Sequence, residues 1–186
     1  MLNLKTYVMV YEGFVQFEVV LTNYFMNTVG ELITVGLDKQ KVTSLEGVQI
    51  VPHITIDEVD IEDVDLFVIP GGEPETLYDE DEFYELIKTL NENAKIIGTI
   101  CATPIHLAKA GILEGKKYTT TLPIDEFDEF ESEKYLDELV VKDDNIVTAK
   151  ARGYVDFAIE LGKTMDIFED EEDLQESINF FKNYKI

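Results

Sequence analysis

Residues 95–104 read Lys95-Ile96-Ile97-Gly98-Thr99-Ile100-Cys101-Ala102-Thr103-Pro104, and this stretch decides the fold. Its first half is a short apolar run of the kind that forms a strand buried on both faces. Pro104 stands where the first turn of a helix begins, a position that tolerates the missing amide hydrogen. The chain therefore passes from strand to helix through its only cysteine.

The same alternation appears on both sides of that stretch. Leu66–Ile69 is a second buried strand, ending in Pro70-Gly71-Gly72, and Phe83, Leu86, Ile87 and Leu90 mark a helix that starts near Asp81. Nearer the start, Thr6–Tyr11 reads as a strand. Phe17, Val20, Leu21, Tyr24 and Phe25 then recur at helical spacing as one apolar stripe ending near Asn27, and Leu32–Gly36 is the next strand. Between Val42 and Ile56 a hairpin-like excursion is interrupted by Gly47 and Pro52. Downstream, Gly111 stops the helix opened by Pro104. Leu139–Val141 and Ile146–Ala149 follow as strands, Val155–Thr164 as a helix, and Leu174, Ile178, Phe180 and Phe181 as the apolar face of a terminal helix. Strands alternating with helices predict a mostly parallel sheet with helices on both faces. The expected fold is an α/β, flavodoxin-like three-layer sandwich, built as a single domain over residues 1–186.

Composition narrows the function classes. Of 186 residues, 39 are acidic and 15 basic, giving a formal charge of −24 that repels phosphate backbones and anionic lipid surfaces. Neither nucleic acid nor a membrane is an expected partner. No apolar stretch approaches the roughly 20 residues of a membrane-spanning helix, and Met1 to Tyr11 shows no charged leader with a cleavage site. One cysteine cannot form an internal disulfide and suits a reducing compartment, so a cytoplasmic location is expected. The acidic runs Asp79–Phe83, Asp125–Glu133 and Glu169–Asp173 contain no glycine turn of the calcium-loop kind. They read as solvated faces, and no metal or cofactor is expected.

In an open parallel sheet, ligands bind beyond the carboxyl ends of the strands. Four loops meet there: Glu12–Glu18, Gly71-Gly72, Cys101-Ala102 and Ala151–Gly153. A thiol at a strand end, with a helix opening after it, faces backbone amides and the positive end of the helix dipole. Such surroundings lower a cysteine pKa from about 8.5 to roughly 3.5–7.5, so Cys101 is expected as a reactive thiolate, with Gly98 and Ala102 leaving room for a sharp elbow. The amides of Gly71, Gly72 and Ala102 are candidate oxyanion donors. Glu18, or its competitor Glu12, is the candidate acid beside the sulfur. His53 and His106, the only histidines, are read as structural. Arg152, the only arginine, could pair a substrate anion or simply one of the many carboxylates, and Thr121 is a weaker candidate for substrate contact.

These residues fall in an order that resembles the ThiJ/PfpI proteins, members of the class I glutamine amidotransferase-like superfamily. The matching pieces are Gly13-Phe14 through Phe17-Glu18, Asp65 to Gly72, Gly98 to Ala102, Ala108 with Gly111 to Gly115, and Asp144 to Ala149. The resemblance covers nearly the whole chain. It implies a homodimer or larger assembly, a reactive elbow cysteine, and Glu18 rather than Glu12 hydrogen-bonded to it. Relatives resembling peptidases carry histidine directly after the cysteine, where this chain has Ala102, and glutamine amidotransferases need a late histidine that is absent after His106. Both activities are disfavoured. The leading expectation is cofactor-independent, glyoxalase-like or deglycase-like hydration of a small reactive carbonyl. The alternatives are a cysteine redox or stress sensor, or a hydrolase or hydratase of another small molecule.

Overall fold

The computed structural model describes residues 3–131 and 134–185, so Ser132 and Glu133 of the central acidic run lie outside the described residues. Among the described residues nine strands form: β1 (Leu4–Met9), β2 (Gly30–Gly36), β3 (Val42–Thr43), β4 (Gln49–Ile50), β5 (Ile54–Thr55), β6 (Leu66–Ile69), β7 (Ile96–Ile100), β8 (Val140–Asp143) and β9 (Ile146–Ala149). Five α-helices accompany them: α1 (Phe17–Val29), α2 (Asp81–Glu92), α3 (Pro104–Lys109), α4 (Tyr154–Thr164) and α5 (Glu171–Phe181). Seven strands make one sheet in the order β5-β2-β1-β6-β7-β9-β8, in which β8 alone runs antiparallel to its neighbour. β3 and β4 form a separate antiparallel hairpin, the excursion expected between residues 42 and 56.

The central strands are apolar on both faces because both faces are covered. All four residues of β6 are buried. One face packs Phe67, Ile69 and Ile97 against Phe83, Ile87 and Leu90 of α2 and Ile105 and Leu107 of α3. The other packs Val8, Val68, Ile100 and Val147 against Val19 and Met26 of α1 and Phe157 and Leu161 of α4. α5 then lies on α1, with Phe181 5.3 Å from the ring of Phe25. This is the expected flavodoxin-like α/β sandwich. The apolar stripe expected on α2 is buried residue for residue.

Three readings need correction. α1 buries Glu18, Val19, Leu21, Thr22, Phe25 and Met26, whereas Phe17, Val20 and Tyr24 of the expected stripe are exposed. This helix is apolar nearly all round, so periodicity alone does not set its phase. On α5, Leu174, Ile178 and Phe181 face the fold while Phe180 points outward. Gly98 serves packing rather than the elbow, since a Cβ there would come within 3.0 Å of Phe157 Cζ.

Candidate active site

α1 begins without a side-chain cap of its own. Its first amides are satisfied from a distance by Glu46 at the tip of the β3–β4 hairpin, whose carboxylate accepts from Gln16 N (3.1 Å) and Phe17 N (2.9 Å). An anion suits this position because helix N-termini carry unpaired donors and partial positive charge. With its start fixed, α1 turns Glu18 inward, where it is only 2% exposed.

Opposite Glu18, the loop after β6 supplies Gly71, whose amide donates to Glu18 Oε2 at 3.0 Å. That donor is therefore engaged with the carboxylate rather than open to an oxyanion. Gly71 O accepts from Val15 N (2.8 Å) and from the Tyr11 hydroxyl (2.9 Å), which also reaches Pro70 O (3.0 Å). Gly72, at φ +142°, packs so closely on Gly13 that a Cβ would lie 2.4 Å from its carbonyl oxygen.

Cys101 follows β7 at φ +68°, a left-handed conformation that costs a non-glycine residue on the order of 1–3 kcal/mol. Its backbone is held on both sides: Cys101 N donates to Ala149 O (2.9 Å), and Cys101 O accepts from Thr121 N (2.9 Å) and Thr120 Oγ1 (2.9 Å). Thr103, which sequence reasoning passed over, sits buried with its hydroxyl 2.7 Å from Ile100 O and 3.2 Å from Ile69 O, tying the elbow to the ends of two strands. The signal for it was weak, a threonine one residue before the helix proline.

The sulfur is hydrogen-bonded to the Glu18 carboxyl, the Ala102 amide and the Thr121 hydroxyl. Burial first, then the charge of Glu18 and its hydrogen bond, push the thiol up to about 12. This reverses the expected direction. The amide and hydroxyl donors favour the thiolate, but burial beside a carboxylate outweighs them. Burial likewise raises Glu18 from 4.5 to about 7, against the hydrogen bonds from Cys101 and Gly71. Two acids in contact resist a second negative charge, so the proton rests on sulfur and Glu18 is the group poised to take it.

The remaining candidates separate clearly. Thr121 and Arg152 line one cleft of about 310 Å³ together with Thr120, Leu122, Tyr135 and Lys150. A larger groove of about 960 Å³ lies away from the sulfur, along β8, α4 and α5. Glu12 turns to the hairpin, where it accepts from Thr43 N (2.9 Å). His53 Nδ1 accepts from Thr34 N (3.0 Å) on β2. His106 is buried among Tyr78, Phe83 and Tyr84, with Nδ1 3.0 Å from the Tyr84 hydroxyl, and burial lowers its pKa to about 3. Among the described residues no cluster of His, Cys, Asp and Glu could hold a metal ion, and no helix is long and apolar enough to cross a membrane.

Residues 4–164 of the chain match a known family, described as the DJ-1/PfpI family. The chain belongs to the DJ-1/PfpI family. Among its DJ-1/PfpI relatives, an uncharacterized protease of Bacillus subtilis is 30% identical over 146 residues, covering 74% of this chain and 68% of the relative. A deglycase of Thermococcus kodakarensis is 28% identical over 152 residues, covering 81% and 92%. The crystal structure of a ThiJ/PfpI family protein from Bacillus anthracis superimposes with a TM-score of 0.89 at 24% identity, covering 98% of this chain and 92% of that one.

Proposed function

We propose that this DJ-1/PfpI protein converts small 2-oxoaldehydes to 2-hydroxy acids without a cofactor, with Cys101 as nucleophile and Glu18 as proton carrier. The observation that carries this reading is the contact between a buried carboxyl near 7 and a thiol near 12. A group that titrates close to neutral pH works well as both base and acid. The deglycase relative, matched over nearly its whole length, supports carbonyl chemistry.

In this reading the thiol proton passes to the Glu18 carboxylate as sulfur adds to the aldehyde carbon, and Glu18 hands that proton to the former carbonyl oxygen, giving a hemithioacetal and regenerating the carboxylate. Glu18 then removes the hydrogen on that carbon and returns it to the neighbouring carbonyl carbon, while the hydroxyl proton shifts from the first oxygen to the second to leave a thioester. The first carbon is oxidised and the second reduced, so no outside oxidant or reductant is needed. Water hydrolyses the resulting thioester, releasing the 2-hydroxy acid and restoring the thiol. The amides of Ala102 and Gly72 are the donors assigned to the developing oxyanion, and Gly71 positions Glu18.

The redox-sensor reading is weaker. The thiolate is the form that attacks peroxide, and burial together with the neighbouring Glu18 carboxyl holds Cys101 as the thiol. Self-association through the outward face of α1 completes the proposal: Phe17 and Val20 are exposed there, and Leu45 and Val48 are exposed on the hairpin that caps the helix. The test is lactate formation from methylglyoxal by purified protein beside Cys101→Ala. Equal rates for the two proteins defeat the proposal.

A further inference from the structure

The cleft lined by Thr121 and Arg152 differs in charge from the chain as a whole. With 39 acidic residues among 186, about one lining residue in five should be acidic, yet none of the described residues lining this cleft is. Two cations line it instead. Lys150 is spoken for: its ammonium pairs with Asp137 and lies over the Tyr135 ring, and only 12% of its side chain is exposed. Arg152 is different. Among the described residues eight lysines form ion pairs, while the single arginine, exposed in a strongly acidic chain, has no carboxylate within ion-pair distance. Its charge is felt at Asp137 without a direct pair.

The backbone that carries Arg152 is also tied to the cysteine elbow. Thr121 N donates to Cys101 O at 2.9 Å, and the Thr121 hydroxyl accepts from Ala151 N at 3.0 Å. The next residue is Arg152, in a tight turn over Ala151–Gly153. The turn packs closely on Leu139, since a Cβ on Gly153 would sit 2.8 Å from Leu139 O. Thus one threonine joins the backbone of Cys101 to the backbone that carries the guanidinium. A guanidinium offers paired donors that fit a carboxylate.

We infer that the site selects carbonyl compounds that carry a carboxylate, with Arg152 holding the carboxylate while Cys101 meets the carbonyl. This rests on the proposed carbonyl chemistry for its substrate but not for its test. Iodoacetate and iodoacetamide alkylate Cys101 by the same displacement of iodide by sulfur, and differ in charge. Their rate ratio therefore reads the cleft without requiring turnover. The ratio is expected to fall about tenfold in Arg152→Gln, to recover in Arg152→Lys, and to fall with added salt in the unmodified protein. The same ratio in the unmodified protein and Arg152→Gln overturns the inference. A second arm compares 4,5-dioxopentanoate with methylglyoxal, which share the 2-oxoaldehyde group. A kcat/KM about tenfold higher for the carboxylate-bearing compound, lost in Arg152→Gln, supports the inference, and equal values overturn it. If neither compound is consumed, the proposed activity fails while the alkylation ratio still decides the role of Arg152.

Discussion

Gly71 stands against Glu18 with no room for a side chain: its amide donates to Oε2 at 3.0 Å, and a Cβ in its place would lie 2.1 Å from that oxygen and 2.5 Å from Cys101 Cβ. The glycine holds the carboxyl through its nitrogen and admits it through its missing methyl.

Gly71→Ala should therefore fold but lose the carboxyl–sulfur contact. Overpacking of this kind costs about 1–3 kcal/mol, read as a lowered denaturation midpoint. Methylglyoxal turnover should drop at least as far as in Glu18→Gln. Unchanged turnover would show that the contact is dispensable.

Glu18→Gln should make the thiol more acidic. Two of the three influences that raise Cys101 come from Glu18, its charge and its hydrogen bond, while burial remains. Ultraviolet titration of the thiolate should show the midpoint falling from about 12 toward the ordinary range. A midpoint that stays in place would assign the whole shift to burial.

Stability should also depend on Glu18. Its carboxyl titrates near 4.5 unfolded and near 7 folded, so the folded state binds the extra proton between those values. The contribution is present below about pH 4.5 and is lost as pH rises through 7, on the order of 2 kcal/mol after solvent screening. Chemical denaturation from pH 4.5 to 8 should show Glu18→Gln gaining on the unmodified protein by that amount. Parallel curves would contradict the assignment.

Cys101 holds φ at +68°, so Cys101→Gly should be more stable than Cys101→Ala by about 1 kcal/mol, although both remove the sulfur. Thermal melts of the two inactive variants make the comparison. Greater stability of the alanine variant would mean that the elbow is unstrained.

Val20→Asp, on the exposed side of α1, should shift the protein from dimer to monomer in sedimentation without loss of helix content. A monomeric unmodified protein would remove the self-association part of the proposal.

Much of this was legible because β6, β7 and β9 are buried on both faces and so read as unbroken apolar runs. The carboxyl ends of those strands then led to Gly71, Cys101 and Ala151. The phase of α1 was not legible: Phe17, Val20 and Tyr24 are as apolar as the residues that are buried, and Glu18, the one acidic side chain on the inward face, would be assigned to solvent by hydropathy. The direction of the thiol shift was missed for a related reason. A strand-to-helix junction advertises a favourable dipole, but the carboxylate beside it and the depth of burial arise from chain segments far apart in sequence.

The bond from Cys101 N to Ala149 O makes the elbow depend on a strand that leaves the ribosome well after the cysteine does. A nascent chain stalled before β9, or one clipped ahead of it by a protease, carries an ordinary thiol with no geometry to direct it. The geometry of the elbow is therefore complete only when synthesis has passed Ala149.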